Sequence, residues 1–545
     1  MDDVDPMDDG LAAAGPLRTI PEAVRAAASR YPDTEAVVDG RTRVTFAELA
    51  ARVDRSAAAC LANGVRAGDR VAIWAPNTLD WIVAALGAVS AGAVLVPLNT
   101  RFKGAEAADV LRRSGARLLF VTGTFLGTSY VAALRRALAE PDGGGLPSLT
   151  RVVVLADDAP AGFLTWKDFL ATGEAVGERE LRARAAQLDG HSPSDLMYTS
   201  GTTGRPKGAV STHGQSLRAF TVWAGLAGLR HGDRYLIVNP FFHTFGYKAG
   251  VLACLLQGAT MIPQPVFDPT ATLAHLAAER VTVLPGPPAL LESLLGHPER
   301  TSYDLTSLRL TVTGAAVIPD GLVQRLRRDL GVETVLTAYG LSEATGIVTM
   351  CRRDDPDEVI AGTSGRAIPG THVRIVSPGG DPVGTGVKGE IQVRGFNVMR
   401  GYYGDDQATR EALTPDGWLR TGDVGALDPS GNLRITDRLK DMYIVGGFNA
   451  YPAEIERLLC HHPDVTEAAV IGVPDPRLGE VGHAYVVRRP GAPLTPDALI
   501  TWSRRHMANY KVPRRVTFVP ELPGNASGKV LKHQLRERGG GNPLG

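Results

Sequence analysis

The chain has 545 residues, with 58 Lys plus Arg against 58 Asp plus Glu, so its formal net charge is zero. That balance excludes nucleic acid as a bulk electrostatic partner, because phosphate binding needs a basic surplus. Hydrophobic residues at 44% and charged residues at 21% exclude a disordered chain. At ~100–200 residues per domain, the length predicts two to four structural units.

The acidic opening, MDDVDPMDDG, lacks the basic-then-apolar pattern of a signal peptide and predicts a disordered tail over residues 1–15. Thr19 with Glu22 and Thr45 with Glu48 have capping-box spacing and mark two early helix starts; Gly64 is a plausible stop for the second. Trp81 to Pro97 is uncharged over 17 residues, but Gly92 divides it into a helix-like and a strand-like piece. A buried helix followed by a strand fits better than a membrane span, so no transmembrane segment is expected. Apolar runs at 71–75, 118–122, 151–156, 235–239, 282–285, 308–314 and 334–340 alternate with helical stretches. That alternation predicts a large α/β unit with mostly parallel sheet.

Beyond about residue 350, Gly/Pro/Asp turns separate short alternating strands, which predicts a β-rich subdomain over about 350–437. A compact last unit follows DRLKD at 437–441. The expected domains are therefore 16–439 and 440–545. The four cysteines, Cys60, Cys254, Cys351 and Cys460, lie far apart with no CxxC pair, which favours a reducing cytoplasm over disulfides or a cysteine zinc site.

The segment YTSGTTGRPKG at 198–208 follows a strand and offers backbone N–H groups, hydroxyls and the Lys207 ammonium to phosphate oxygens. It is not a Walker A loop, because Gly204 stands three residues before the lysine and Gly208 replaces the Ser/Thr. PGNASGKVLK at 523–532 fails the same pattern. Taken alone, either segment is equally a flexible polar loop.

Taken with TAYGLSEAT at 337–345, GWLRTGDVG at 417–425 and ITDRLKDMYIVGGFNAYPAEIE at 435–456, the two segments fall in an ordered set. The set resembles the adenylate-forming superfamily of acyl-CoA synthetases, peptide-synthetase adenylation domains and beetle luciferases. The resemblance implies two α/β sheet subdomains plus a small β-barrel, hinged to a small mobile α+β C-terminal domain. It implies an ATP-dependent ligase that joins a carboxylic acid to AMP, releases pyrophosphate, and passes the acyl group to coenzyme A.

The family's site residues carry over by motif. Thr199, Ser200, Gly201, Thr202, Thr203, Gly204 and Lys207 would hold phosphates, with Ser342 assisting where many relatives have Thr. Glu343 would hold Mg²⁺, a hard cation suited to carboxylate oxygen. Gly314, Ala315 and Ala316 with Tyr339 and Gly340 would make the adenine shelf; Asp423 would accept the ribose hydroxyls, and Arg438 would contact ribose or phosphate. Lys529 would neutralise charge between carboxylate and α-phosphate. Lys440 matches the hinge, and Gly446 with Gly447 would line the coenzyme A tunnel.

The segment PFFHTFGYK at 240–248 has His243 where amino-acid-activating domains place an aspartate, so an amino-acid substrate is not expected. His243, grouped with Lys529 and Glu343 as catalytic, would also line the acyl pocket with Phe245, Gly246 and Lys248. For Lys248 two readings stay open: its ammonium selects an oxygenated substrate, or it pairs with a nearby acid or reaches solvent. Sixteen residues follow Lys529, so no fused carrier domain is expected; an oligomer is possible.

NPFFHTFGYKAG at 239–250, VLPGPP at 283–288 and TMCRRDD at 349–355 look most like actinobacterial ligases of steroid degradation, which activate a methyl-indane-dione propanoate. The alternative is a repurposed adenylating enzyme of secondary metabolism, for example one that activates nitrite to diazotise an aryl amine. A non-catalytic nucleotide-binding regulator is more remote, since Lys529 and Glu343 are both present.

Overall fold

The computed structural model describes residues 17–139, 145–200, 206–314, 318–319, 321–377, 379–438, 443–450, 452–523, 530 and 532–539. The tail expected over 1–15 lies outside them. Both capping boxes form. At helix Ile20–Arg30 the Glu22 N–H donates to Thr19 Oγ1 at 3.3 Å, and the Thr19 N–H donates to the Glu22 carboxylate at 3.1 Å. At Phe46–Ala62 the reciprocal Thr45 and Glu48 bonds measure 3.2 and 2.9 Å. These bonds satisfy orphan N–H groups and fix where each helix begins.

The uncharged stretch is helix Leu79–Ser90 followed by strand Val94–Pro97, and every residue from Trp81 to Pro97 is buried. Among the described residues no helix is long and apolar enough to cross a membrane. The Val94–Pro97 strand sits inside a seven-stranded sheet ordered Pro206–Thr212, Pro193–Ser200, Val94–Pro97, Arg70–Trp74, Leu118–Val121, Arg151–Val154, Leu164–Thr165. All neighbours are parallel except the first two, which form an antiparallel hairpin.

A second sheet system joins Arg234–Ile237, Thr260–Pro263, Glu35–Asp39 and Thr42–Thr45 to Leu310–Gly314, Thr334–Tyr339, Thr349–Met350 and Arg366–Ala367. The strand expected at 282–285 is not one: only Val283 pairs, bridging Tyr235 to Leu310 and so linking the two halves. Pro285, Pro287 and Pro288 supply no N–H for a longer ladder.

The β-rich subdomain is a four-stranded antiparallel meander of Thr371–Val376, Gly389–Gly395, Leu419–Leu427 and Leu433–Arg438. Beyond it, strands Tyr443–Val445, Phe448–Ala450, Val465–Asp475, Gly479–Arg488 and Arg515–Phe518 make a last sheet. Helices Pro452–Leu459 and Pro496–His506 pack on it around a separate core that includes Tyr443, Ile455, Val470 and Leu499. The chain is thus an α/β protein with a large N-terminal part and a small C-terminal α+β part, as the motifs imply.

Candidate active site

The hairpin of Pro193–Ser200 and Pro206–Thr212 places Thr199 opposite Lys207. Gly201, Thr202, Thr203 and Gly204 lie outside the described residues, as does the side chain of Ser200. Glu343 sits in the short 3₁₀ turn Ser342–Ala344, beside the buried Ser342. The Thr199 hydroxyl donates to Glu343 Oε1 at 2.9 Å, and the Tyr402 hydroxyl donates to the same oxygen at 3.0 Å. Lys207 Nζ lies 5.2 Å from the centre of the Tyr402 ring. Two donors thus fix one carboxylate oxygen, and no hydrogen bond from a described residue is seen at Oε2. A half-buried carboxylate held this way, with one oxygen open beside the phosphate-loop hairpin, fits the donor chemistry of a hard divalent cation. Among the described residues no cluster of three His, Cys, Asp or Glu could hold a metal by itself.

Tyr402 reaches this point because residues 400–403 pair with the edge of the hairpin. Val210 N–H donates to Gly401 O, Arg400 N–H to Val210 O, and Tyr403 N–H to Gly208 O. The sequence reading did not single out Tyr402. Its signal was there in the adjacent aromatics of GYYGDD, which stand at a strand edge.

On the neighbouring strand ends, the Tyr339 hydroxyl donates to Asp423 Oδ2 at 2.7 Å. Asp423 and Arg438 are partners across the Leu419–Leu427 and Leu433–Arg438 ladder, although the Arg438 side chain is outside the described residues. Gly314 ends its strand where a Cβ would stand 2.3 Å from Ala338 O, so a side chain is excluded there on steric grounds. Gly340 follows Tyr339 directly; Ala315 and Ala316 are not described.

His243 is exposed, with neighbouring protein atoms partly shielding its ring from water. That enclosure lowers its pKa below the usual histidine value. Phe245 is half-buried and Gly246 buried one turn on. The helix from Thr244 to Gln257 contains a π-helical stretch, Tyr247–Leu252.

Of the two readings of Lys248, the structure favours pairing with an acid over a place in the acyl pocket. Its side chain is fully buried, and Nζ lies 2.9 Å from Oδ1 of the equally buried Asp195. The approach angle is poor for a hydrogen bond, so the contact is an ion pair rather than an aligned bond. Burial lowers the Lys248 pKa, and Asp195 opposes that only in part. The ammonium is therefore spent on Asp195, which removes it as a selector of substrate oxygens. Asp195 also accepts the Ser194 hydroxyl on Oδ2 at 2.7 Å. It lies on the strand that leads into the phosphate loop, so the pair ties that strand to the helix after His243. Sequence alone did not flag Asp195, because an acid inside a strand gives no local pattern.

Gly446 and Gly447 form the turn between Tyr443–Val445 and Phe448–Ala450, with φ of 55° and 86° that favour glycine. A Cβ on Gly447 would stand 3.5 Å from Pro287 Cγ, so the turn touches the N-terminal part. Lys440 and Lys529 lie outside the described residues.

The family models for AMP-binding enzymes match residues 24–403, and the one for the AMP-binding enzyme C-terminal domain matches 454–529. The chain belongs to the AMP-binding enzyme family. It is an AMP-forming acyl-CoA synthetase, an acid–thiol ligase that uses ATP and coenzyme A. Over 95% of its length it is 51% identical to 98% of a 3-[(3aS,4S,7aS)-7a-methyl-1,5-dioxo-octahydro-1H-inden-4-yl]propanoyl:CoA ligase of Rhodococcus jostii. Over 96% it is 50% identical to 99% of a ligase of the same name from Mycobacterium tuberculosis. Among solved structures, the amide bond synthetase McbA of Marinactinospora thermotolerans is similar at a TM-score of 0.82 and 30% identity, covering 95% of this chain and 99% of that one.

Proposed function

We propose that the acid activated is a propanoate carried on an oxygenated bicyclic ring, such as the methyl-dioxo-octahydroindenyl propanoate named for the two bacterial ligases. The observation that carries this reading is identity of about one half with both of them over nearly the whole of each chain. The amide-forming neighbour, at 30% identity, is much further away.

In the first half-reaction a carboxylate oxygen attacks the α-phosphorus of ATP, and pyrophosphate leaves with the bonding pair of the broken P–O bond. In the second, the sulfur of coenzyme A attacks the acyl carbon; AMP leaves, and the thiol proton goes to solvent. Lys207, Thr199 and the loop up to Gly204 hold phosphate oxygens, with Lys207 steadied over the Tyr402 ring. Glu343, fixed by Thr199 and Tyr402, offers its other oxygen to Mg²⁺, which would neutralise phosphate charge. Tyr339 lays its ring against adenine while its hydroxyl orients Asp423 toward the ribose. Arg438, the ladder partner of Asp423, would contact ribose or phosphate.

His243 lines the acyl end with Phe245 and Gly246. Lys529 supplies positive charge between the two anions as they meet; in a water-poor site such stabilisation is worth several kcal/mol. The C-terminal domain, from about residue 440, then turns at Lys440 to bring Gly446 and Gly447 to the thiol path. The setting is the cytoplasm, where ATP and coenzyme A are at hand.

The test is a panel of acids with ATP, Mg²⁺ and coenzyme A, scored as kcat/KM for thioester formation. The bicyclic dioxo propanoate is expected to exceed straight-chain and aromatic acids by tenfold or more. A better aliphatic or aromatic acid would overturn the substrate assignment. Turnover only with nitrite and an aryl amine would favour the repurposed alternative.

A further inference from the structure

A buried cation joins the two parts of the chain. Lys511, 1% exposed, places Nζ 2.6 Å from Glu106 Oε1 and 2.7 Å from Glu454 Oε1. Lys511 and Glu454 belong to the C-terminal part, the latter on helix Pro452–Leu459. Glu106 belongs to the N-terminal part, on helix Gly104–Ser114. The Phe102 ring, also N-terminal, has its centre 4.8 Å from the same ammonium. Beside it the Asn99 amide donates to the Tyr510 hydroxyl at 3.3 Å, and Tyr510 stacks on Phe448 at 4.9 Å.

Phe448 directly follows Gly447 in sequence. Through the Phe448–Tyr510 stack, two linked points of the C-terminal part meet the N-terminal part: the Gly447 turn against Pro287, and Lys511 against Glu106. Burial alone would lower the Lys511 pKa, but Glu106 and Glu454 outweigh it and hold it well above its usual value. The cation thus stays charged at its two carboxylates. Such a contact is strong in place and costly to leave half-made, which makes it a two-position latch rather than a sliding surface.

We propose that Glu106, through Lys511 and Glu454, is a positioning residue for the thiol half-reaction: it holds the C-terminal domain where the Gly446–Gly447 turn faces the N-terminal part. This rests on the two-half-reaction reading above. Glu106 stands apart from the residues assigned above to adenylation, so weakening the latch should separate the two steps. Other conformations of the domain then gain population, and the thiol step loses it.

The informative variant is Glu106→Gln. It removes the interdomain charge but leaves the Lys511–Glu454 pair, and its amide oxygen can still accept the Lys103 N–H that Glu106 accepts at 2.8 Å. Acyl transfer from preformed acyl-adenylate to coenzyme A is expected to fall roughly five- to tenfold, while adenylation, read by pyrophosphate exchange, stays within about twofold or rises. Glu106→Asp, which keeps the charge, is expected to recover part of the transfer rate. Thermal unfolding of each variant, run alongside, is expected to stay within a few degrees of the parent protein. Equal loss in both half-reactions, no loss in either, or Asp no better than Gln would overturn the latch. Failure of the parent protein to make thioester would instead overturn the functional reading on which the latch rests.

Discussion

Replacing Lys248 with methionine keeps an unbranched stem one atom shorter and removes the charge that Asp195 needs. Both partners are fully buried at 2.9 Å, so the variant leaves a carboxylate in the core with the Ser194 hydroxyl at 2.7 Å as its remaining close donor. Breaking a buried pair from one side costs about 3–5 kcal/mol. The Ser194 bond offsets part of that, so Lys248→Met should lose about 3 kcal/mol. At ~2–4 °C per kcal/mol for a large domain, the N-terminal transition should move down by roughly 6–12 °C in scanning calorimetry. The double variant Lys248→Met/Asp195→Asn removes the stranded charge and should regain about half of the loss or more. The ratio of kcat/KM for a cyclic oxygenated acid to that for an aliphatic acid should stay within about twofold, because the ammonium does not face substrate. A single variant that melts within about 2 °C of the parent, or a double variant that melts below the single one, would refute the buried-pair reasoning.

Other expectations concern single groups. Enclosure holds His213 at a pKa of about 4 against the ordinary 6.5. The unfolded chain therefore binds a proton between those values that the folded chain does not. This contribution is intact above pH 6.5 and is lost as pH falls toward 4; the loss has reached about 2 kcal/mol at pH 5. Denaturant midpoints across that window should fall with acid, and His213→Gln should flatten the slope; an unchanged slope would exonerate His213. Lys529→Ala should abolish pyrophosphate release but spare transfer from synthetic acyl-adenylate; equal loss in both would make its role structural. Lys440→Pro should keep adenylation and lower thioester formation, since proline fixes φ at the proposed hinge; a matching fall in pyrophosphate release would contradict that. Tyr402→Phe should raise the Mg²⁺ concentration for half-maximal rate by roughly three- to tenfold, as expected for one lost hydrogen bond of ~1 kcal/mol to Glu343; no change would detach Tyr402 from the metal.

The readable parts of this molecule are those with local or ordered signals. Capping boxes at Thr19 and Thr45 announced their helices because the donors and acceptors lie three residues apart. The motifs around Thr199, Glu343 and Asp423 were legible because their glycines and polar residues recur in a fixed order. Asp195 and Lys248 were not, since they stand 53 residues apart and only the packing of a π-helical turn on a strand brings them together. The same holds for Glu106 and Lys511, separated by 405 residues. Val283 shows the converse failure: a β-like run with one bridged residue, whose edge toward Arg234–Ile237 lacks a donor at Pro285.

The most direct test of the account is the fate of oxygen. With the acid labelled with ¹⁸O in both carboxylate positions, ATP and coenzyme A, an acyl-adenylate pathway transfers one labelled oxygen to the phosphate of AMP and keeps one in the thioester. Mass spectrometry of the AMP should therefore show a single ¹⁸O per turnover. Unlabelled AMP, or ADP in place of AMP, would contradict adenylation of the acid and with it the roles assigned to Glu343, Asp423 and Lys529.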